Sequence, residues 1–383
     1  MGPLENVRVV DVTVSLAGPY CTQLLGALGA DVIKVERPDG GDETRGWSTG
    51  GESPLFLAAN ANKRSVALDL SRNEGREVVA RLADGADVFI QSLRPGLAER
   101  LGLGAVELRR RNPRLVYCSI GAFGREGALR EEPGYDPLMQ AAGGIMSVTG
   151  EPERPPVRVG VSLVDQTTAL WAAIGILLAL SERERTGGGR TVDVSLYEAA
   201  VSLVPYHVID YLRTGAIAGR HGTAFPLIAP YEAFETADGR LMIAAGNDRL
   251  FARLCKTLGL DELTADPRFA TNPARIENRA ELKTLLEARL RAEPNAAWLP
   301  RLAAARVPAG PVNDVRDVAE SEQTQALGLL QTVEGQRLVA PPISFDGTRL
   351  GHATAPPGLG AQSREILAEL GYSDEEIDAL IAG

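Results

Sequence analysis

Asp165 stands at the mouth of an apolar run, in VSLVDQTTALWAA over 161–173. A carboxylate there has two chemistries open to it. It can accept hydrogen bonds from the free N–H groups of a helix's first turn and cap the helix. It can also act as a nucleophile toward an activated acyl group, with the partial positive charge of the helix N-terminus keeping it ionised at neutral pH. Taken alone, the segment favours the cap. Upstream, Tyr135 and Asp136 in GYDPLMQAAGG set a phenol beside a second acid. A phenol that titrates near 10 is a poor base at neutral pH, so a packed aromatic is its plain reading.

Two arginines are placed to meet an anion: Arg37, directly after DVIKVE, and Arg100, in PGLAER. A guanidinium fork suits phosphate and stacks on a flat base, and solvated surface is the competing reading. Lys63 and Arg64 in NKRS read as an exposed basic pair in a loop. His207, His221 and His352 lie far apart and offer no metal-ligand spacing, so no metal is expected. Cys21, Cys118 and Cys255 are scattered, without a CxxC. Unpaired thiols of this kind suit a reducing cytosol, and a cytoplasmic location is expected.

These side chains need a scaffold. A chain of 383 residues exceeds what one core usually organises, so two domains are expected. The net charge of −10 leaves no excess of cations to replace phosphate counterions, which argues against nucleic acid as a partner. The start, MGPLENVRVVDV, lacks the basic n-region of a signal peptide. The apolar run 169–180 is too short to span a bilayer, so no membrane role is expected.

Along the first third, strand and helix alternate. VRVVDV (7–12), DVIKVE (31–36), ADVFIQS (86–92) and RLVYCSI (114–120) read as strands, with helices over 18–30 and 73–84 and a further helical stretch ending at Arg111. Such alternation means a parallel sheet with helices on its faces. A further strand is expected near 191–195, after a long helix through Ser181. YEAFETADGRLMIAAGND then has the texture of an antiparallel hairpin, turning at Asp238–Gly239. The expected division is a large domain over 1–224, a small domain over 225–315, and a C-terminal part, 316–383, returning to the large one and ending in a closing helix. Strand, turn, helix and a strand ending in Glu36 also outline a dinucleotide-binding unit. The turn lacks G-x-G-x-x-G, so an NAD(P) oxidoreductase is disfavoured and Glu36 reads as a solvated strand end.

Several segments, in this order, resemble the family III CoA-transferases: DVTVSLAGPYCTQLLGALGADVIKVERP, NANKRSVALDL, ADVFIQSLRPGLAERLGL, GYDPLMQAAGG, VGVSLVDQTTALWAAIGILLAL, ERERTGGGRTVDVSLYEA and VPAGPVNDV. The resemblance runs nearly end to end. It implies an α/β fold: a doubly wound parallel-sheet large domain built from N- and C-terminal parts, a smaller α+β domain inserted, and a homodimer of interlocked rings. It also implies an enzyme that takes acyl-CoA and a carboxylic acid and needs no cofactor beyond coenzyme A as substrate. Asp165 falls at the position of the family's catalytic aspartate, which carries an acyl anhydride and then a CoA thioester. The family's CoA contacts fall on Val14, Ser15, Leu16 and Ala17, on Arg37, on Leu68, on Ser92 and Leu93, and on Leu97 and Arg100. Tyr135 and Asp136 fall on the active-site wall. The α-methylacyl-CoA racemases share this fold but need an imidazole where Tyr135 stands, which disfavours them. The sequence departs from formyl-CoA transferase at VSL (14–16), at Gly121 and at AAGND (244–248), which bears on the acyl group and acceptor rather than on the CoA scaffold.

Overall fold

Six parallel strands form the main sheet of the computed structural model, which describes residues 2–382. They are β1 (Arg8–Val12), β2 (Asp31–Glu36), β3 (Lys63–Ala67), β4 (Val88–Gln91), β5 (Val116–Gly121) and β6 (Thr191–Ser195). Their order is β3-β2-β1-β4-β5-β6, with every neighbouring pair parallel. The winding therefore reverses between β1 and β4. In such sheets the crevice outside the carboxyl ends, at that reversal, is where ligands bind.

Val9, Val10, Ile33, Phe89 and Ile90 are fully buried at the centre of the sheet, as apolar runs covered on both faces should be. Two expectations fail at β3 and at the end of β2 beside it. Lys63 and Arg64 do not lie in an exposed loop but open β3, with Lys63 buried and Arg64 paired to Asp31, Glu365 and Glu369. Glu36 is not solvated either: it takes both arms of Arg45 and the Ser65 hydroxyl.

The long helix runs over Leu163–Thr186, 24 residues, further than its apolar run suggests. Its face turned to β6 approaches so closely that a Cβ at Gly175 would lie 2.6 Å from Val192. It ends where Gly187 adopts φ +75 and donates its N–H back to Arg183, a left-handed stop that glycine takes without strain. Among the described residues it is the one helix long and apolar enough to cross a bilayer. Ala169, Ala172, Ala173 and Ile176 are buried, whereas Leu170, Trp171, Ile174 and Leu178 are left uncovered.

The chain divides into two compact units, one of residues 1–145, 158–214 and 322–383, the other of 146–157 and 215–321. The second unit is thus wider than the 225–315 read from texture. Gly222 donates to Gly150 O, and Arg220 donates to the carbonyls of Glu151, Pro152 and Arg154, which ties 146–157 to the segment from 215. The second unit holds an antiparallel sheet of β7 (Tyr231–Glu235), β8 (Arg240–Ala244) and β9 (Ala309–Pro311). Phe234, Phe251, Phe269 and Trp298 fill the core between that sheet and its helices. At the C-terminus two helices, Ser363–Glu369 and Asp374–Ala382, replace the single closing helix, because Gly371 at φ +83 breaks the run.

Candidate active site

Asp165 lies in the first turn of the long helix but does not cap it. Ser162 occupies the cap position and makes no side-chain cap bond. The capping is done from outside by Asp136, whose Oδ2 accepts from the N–H groups of Val164 at 2.8 Å and Asp165 at 3.3 Å. Its Oδ1 accepts from Gln140 Nε2 at 2.6 Å, and Gln140 Oε1 in turn takes the Val159 N–H at 2.8 Å. Asp136 is 3% exposed and Tyr135, beside it, is 50% exposed. The chain entering the helix 136–142 therefore turns Tyr135 outward and buries Asp136 against the start of the long helix.

This arrangement changes the charge state expected of Asp165. Burial, followed by repulsion from the Asp136 carboxylate, pushes its pKa up to about 7. Desolvation disfavours the charged form more than the helix terminus favours it. At neutral pH Asp165 is divided between acid and carboxylate, a state common at reacting groups.

The positions matched to CoA contacts fall around the reversal between β1 and β4. Val14, 43% exposed, follows β1, and its N–H reaches the Ser92 hydroxyl after β4 at 3.2 Å. Arg37 is exposed after β2 and donates to Gly41 O at 3.3 Å. Leu93 lines a cavity of about 580 Å³ over the carboxyl ends of β4, β5 and β6, together with Gly96, Ser119, Gly121 and Asp193. Leu97 and Arg100 lie on the short helix beside it, Arg100 exposed. Three positions do not offer a side chain to a ligand: Leu16 and Ala17 are buried, and Leu68 is 2% exposed within the core.

Missing from the sequence reading was a buried polar cluster beneath the β1 loop. Asp11, Asp42 and Glu36 face Lys34, Lys63 and Arg45. Burial opposes the charge on Asp11, yet Lys63, Lys34 and the hydroxyls of Thr13 and Thr22 hold its pKa down to about 2. One signal was available: Lys34 interrupts the otherwise buried alternation of DVIKVE.

The family description CoA-transferase family III matches residues 4–363. The chain belongs to CoA-transferase family III. It is similar to the succinyl-CoA:glutarate CoA-transferase of Mus musculus, 39% identical over 390 residues, covering 100% of this chain and 89% of that one. It is similar also to the acetyl-CoA:oxalate CoA-transferase of Acetobacter aceti, 38% identical over 349 residues and 90% of each chain. Among solved structures, a CAIB/BAIF family protein from Brucella suis superposes with a TM-score of 0.89 at 41% identity, over 96% of this chain and 99% of that one. This transferase thus shares scaffold and length with enzymes named for different acids.

Proposed function

We propose that this transferase moves CoA from an acyl-CoA thioester to a free carboxylic acid with Asp165 as the acyl carrier. The observation that carries this is a half-buried carboxylate in a helix's first turn, set at about 7 and freed from capping by its neighbour Asp136. An Asp165 oxygen attacks the thioester carbonyl, the C–S bond breaks, and CoA leaves as thiolate, giving a mixed anhydride. The thiolate then attacks the Asp165 carbonyl, releasing the donor acid and forming an aspartyl-CoA thioester. An acceptor carboxylate repeats the sequence in reverse: it displaces the thiolate to form a second anhydride. The thiolate takes the acceptor's acyl group, and Asp165 is restored as a carboxylate. Acyl groups pass only between oxygen and sulfur, so the cycle uses no cofactor beyond CoA itself. Tyr135, exposed, is placed on the wall of the acyl site, whereas Asp136, expected there too, is buried and engaged with the first turn of the long helix. With the correct acyl-CoA, hydroxylamine is expected to convert Asp165, and no other residue, to a hydroxamate found by peptide mass spectrometry. A hydroxamate on another residue would remove Asp165 from the reaction.

CoA is placed by the same reading along the β1, β2 and β4 loops, with Arg37 and Arg100 at its phosphates. A charge-assisted contact of this kind contributes roughly 1–3 kcal/mol. Arg37→Ala and Arg100→Ala are each expected to weaken CoA binding by that amount in calorimetry. Unchanged affinity in both would move the ligand elsewhere.

The active form is read as a homodimer of interlocked chains. Its support here is the uncovered stripe Leu170, Trp171, Ile174 and Leu178 together with Tyr206, Ile209, Tyr211 and Leu212 on the helix Pro205–Thr214. Large apolar side chains left exposed along both helices are what an interface would cover. Sedimentation at low micromolar concentration is expected to give the dimer mass, and a folded monomer would refute this assembly.

A further inference from the structure

The loop Thr13–Ser15, which carries the CoA reading, is held at four backbone groups by side chains of the protein. Thr13 N–H donates to Asp11 Oδ1 at 2.9 Å, and Thr13 O accepts from Lys34 Nζ at 3.0 Å. Val14 N–H goes to the Ser92 hydroxyl at 3.2 Å, and Ser15 N–H goes to Asp42 Oδ1, also at 3.2 Å. The loop ends in a residue held against its preference: Ser15 has φ +69, in the left-handed region that a residue with a Cβ enters only when surroundings impose it. The imposing groups lie below the loop. Lys34 and Asp42 side chains are both 0% exposed and paired at 2.8 Å, with Asp42 Oδ1 also accepting from Thr44 N–H at 3.0 Å and Thr44 Oγ1 at 2.7 Å. Glu36 Oε2 accepts the Asp42 N–H at 3.0 Å and so fixes the backbone from which that carboxylate extends.

A buried ion pair is weak evidence of stability, because apolar side chains of equal volume often do as well. Two charges were nonetheless placed where they hold one carbonyl and one N–H of a surface loop. We propose that Lys34 and Asp42 are positioning residues for CoA: neither touches the ligand, and together they pre-form the loop Val14–Ala17 on which it rests. Pre-forming a loop removes the ordering that binding would otherwise have to impose, so losing the grip weakens affinity. The proposal rests on the placement of CoA against this loop, and the two can be tested apart.

Asp42→Ala removes the acceptor for Ser15 and Thr44, whereas Asp42→Asn keeps an oxygen there and presents an amide to Lys34. Both variants lose the ion pair, and both are expected to melt at lower temperature. CoA itself, titrated calorimetrically into the dialysed protein, distinguishes them. Asp42→Ala is expected to raise the Kd for CoA about tenfold or more, and Asp42→Asn to stay within about threefold of the parent, since each factor of ten needs only the loss of one well-made contact. Equal Kd values for Asp42→Ala and the parent, or equal rises in both variants, overturn the proposal. Should Asp42→Ala not fold, the isosteric Thr44→Val loosens the same carboxylate and is expected to raise Kd severalfold; no rise would again overturn it. Val14→Glu tests the loop placement on its own. If Val14→Glu leaves CoA affinity unchanged, the placement fails; if it weakens binding while Asp42→Ala does not, only the positioning role fails.

Discussion

Asp165→Asn is expected to fold, to bind CoA within about threefold of the parent and to lose CoA transfer by at least about 1,000-fold, the usual scale for removing a covalent nucleophile. An amide keeps the shape of the side chain and gives up the attacking oxygen. Loss of the helix cap does not complicate the variant, because Asp136 makes the cap bonds to Val164 and Asp165. Stability moves the other way. In the folded chain Asp165 titrates near 7, above its ordinary 3.8, so between those values the folded state holds a proton that the unfolded state has released. Stability therefore falls as pH rises across that window, and the loss is complete above 7. Asp165→Asn removes this penalty. It should match the parent near pH 4 and exceed it at pH 8 by a few kcal/mol at most, on the scale of about 1.4 kcal/mol per pKa unit. Thermal melts at the two pH values check it. An Asn variant that retains transfer, or one less stable than the parent only at pH 8, contradicts the assignment.

The second large effect is on the pH profile. Formation of the acyl-enzyme in a single turnover requires the Asp165 carboxylate, so its rate should rise with pH, level off above about 7, and fall about tenfold per unit below the midpoint. At pH 5 the expected loss is about 100-fold. Asp136→Asn keeps an oxygen for the Val164 N–H while removing the charge that repels Asp165. Its midpoint should move to lower pH, with burial keeping it above that of a free aspartate. The two carboxyl groups interact, so the midpoint belongs to the pair. A profile flat from pH 5 to 8 would contradict the need for the Asp165 carboxylate, and a midpoint that rises in Asp136→Asn would separate Asp136 from the control of Asp165.

Much of the scaffold was legible from local pattern. DVIKVE is a strand over the residues read, 31–36, and the helix read at 73–84 is Asn73–Asp84. Apolar runs of strand length between helical periods leave few alternatives to a parallel sheet. The long segment 161–173 likewise marked Asp165 as a residue to question. Harder cases were those in which a charged side chain is buried. KRSVA carries two cations in five residues, and no periodicity marks it as a strand.

Local pattern alone was enough for most strands and helices of the main sheet, β3 excepted, and for naming the candidate residues. Contacts between distant segments set how those residues are charged and held. Asp165 looked like a cap because an acid before an apolar run usually is one. The actual cap, Asp136, comes from 28 positions upstream of Val164. Lys63 looked exposed because its partner, Asp11, is 52 positions away on another strand. Local pattern records which side chains prefer water. It does not record which distant group will replace that water once the sheet has closed, and that replacement sets the proton affinity of Asp165 and the shape of the loop above Lys34.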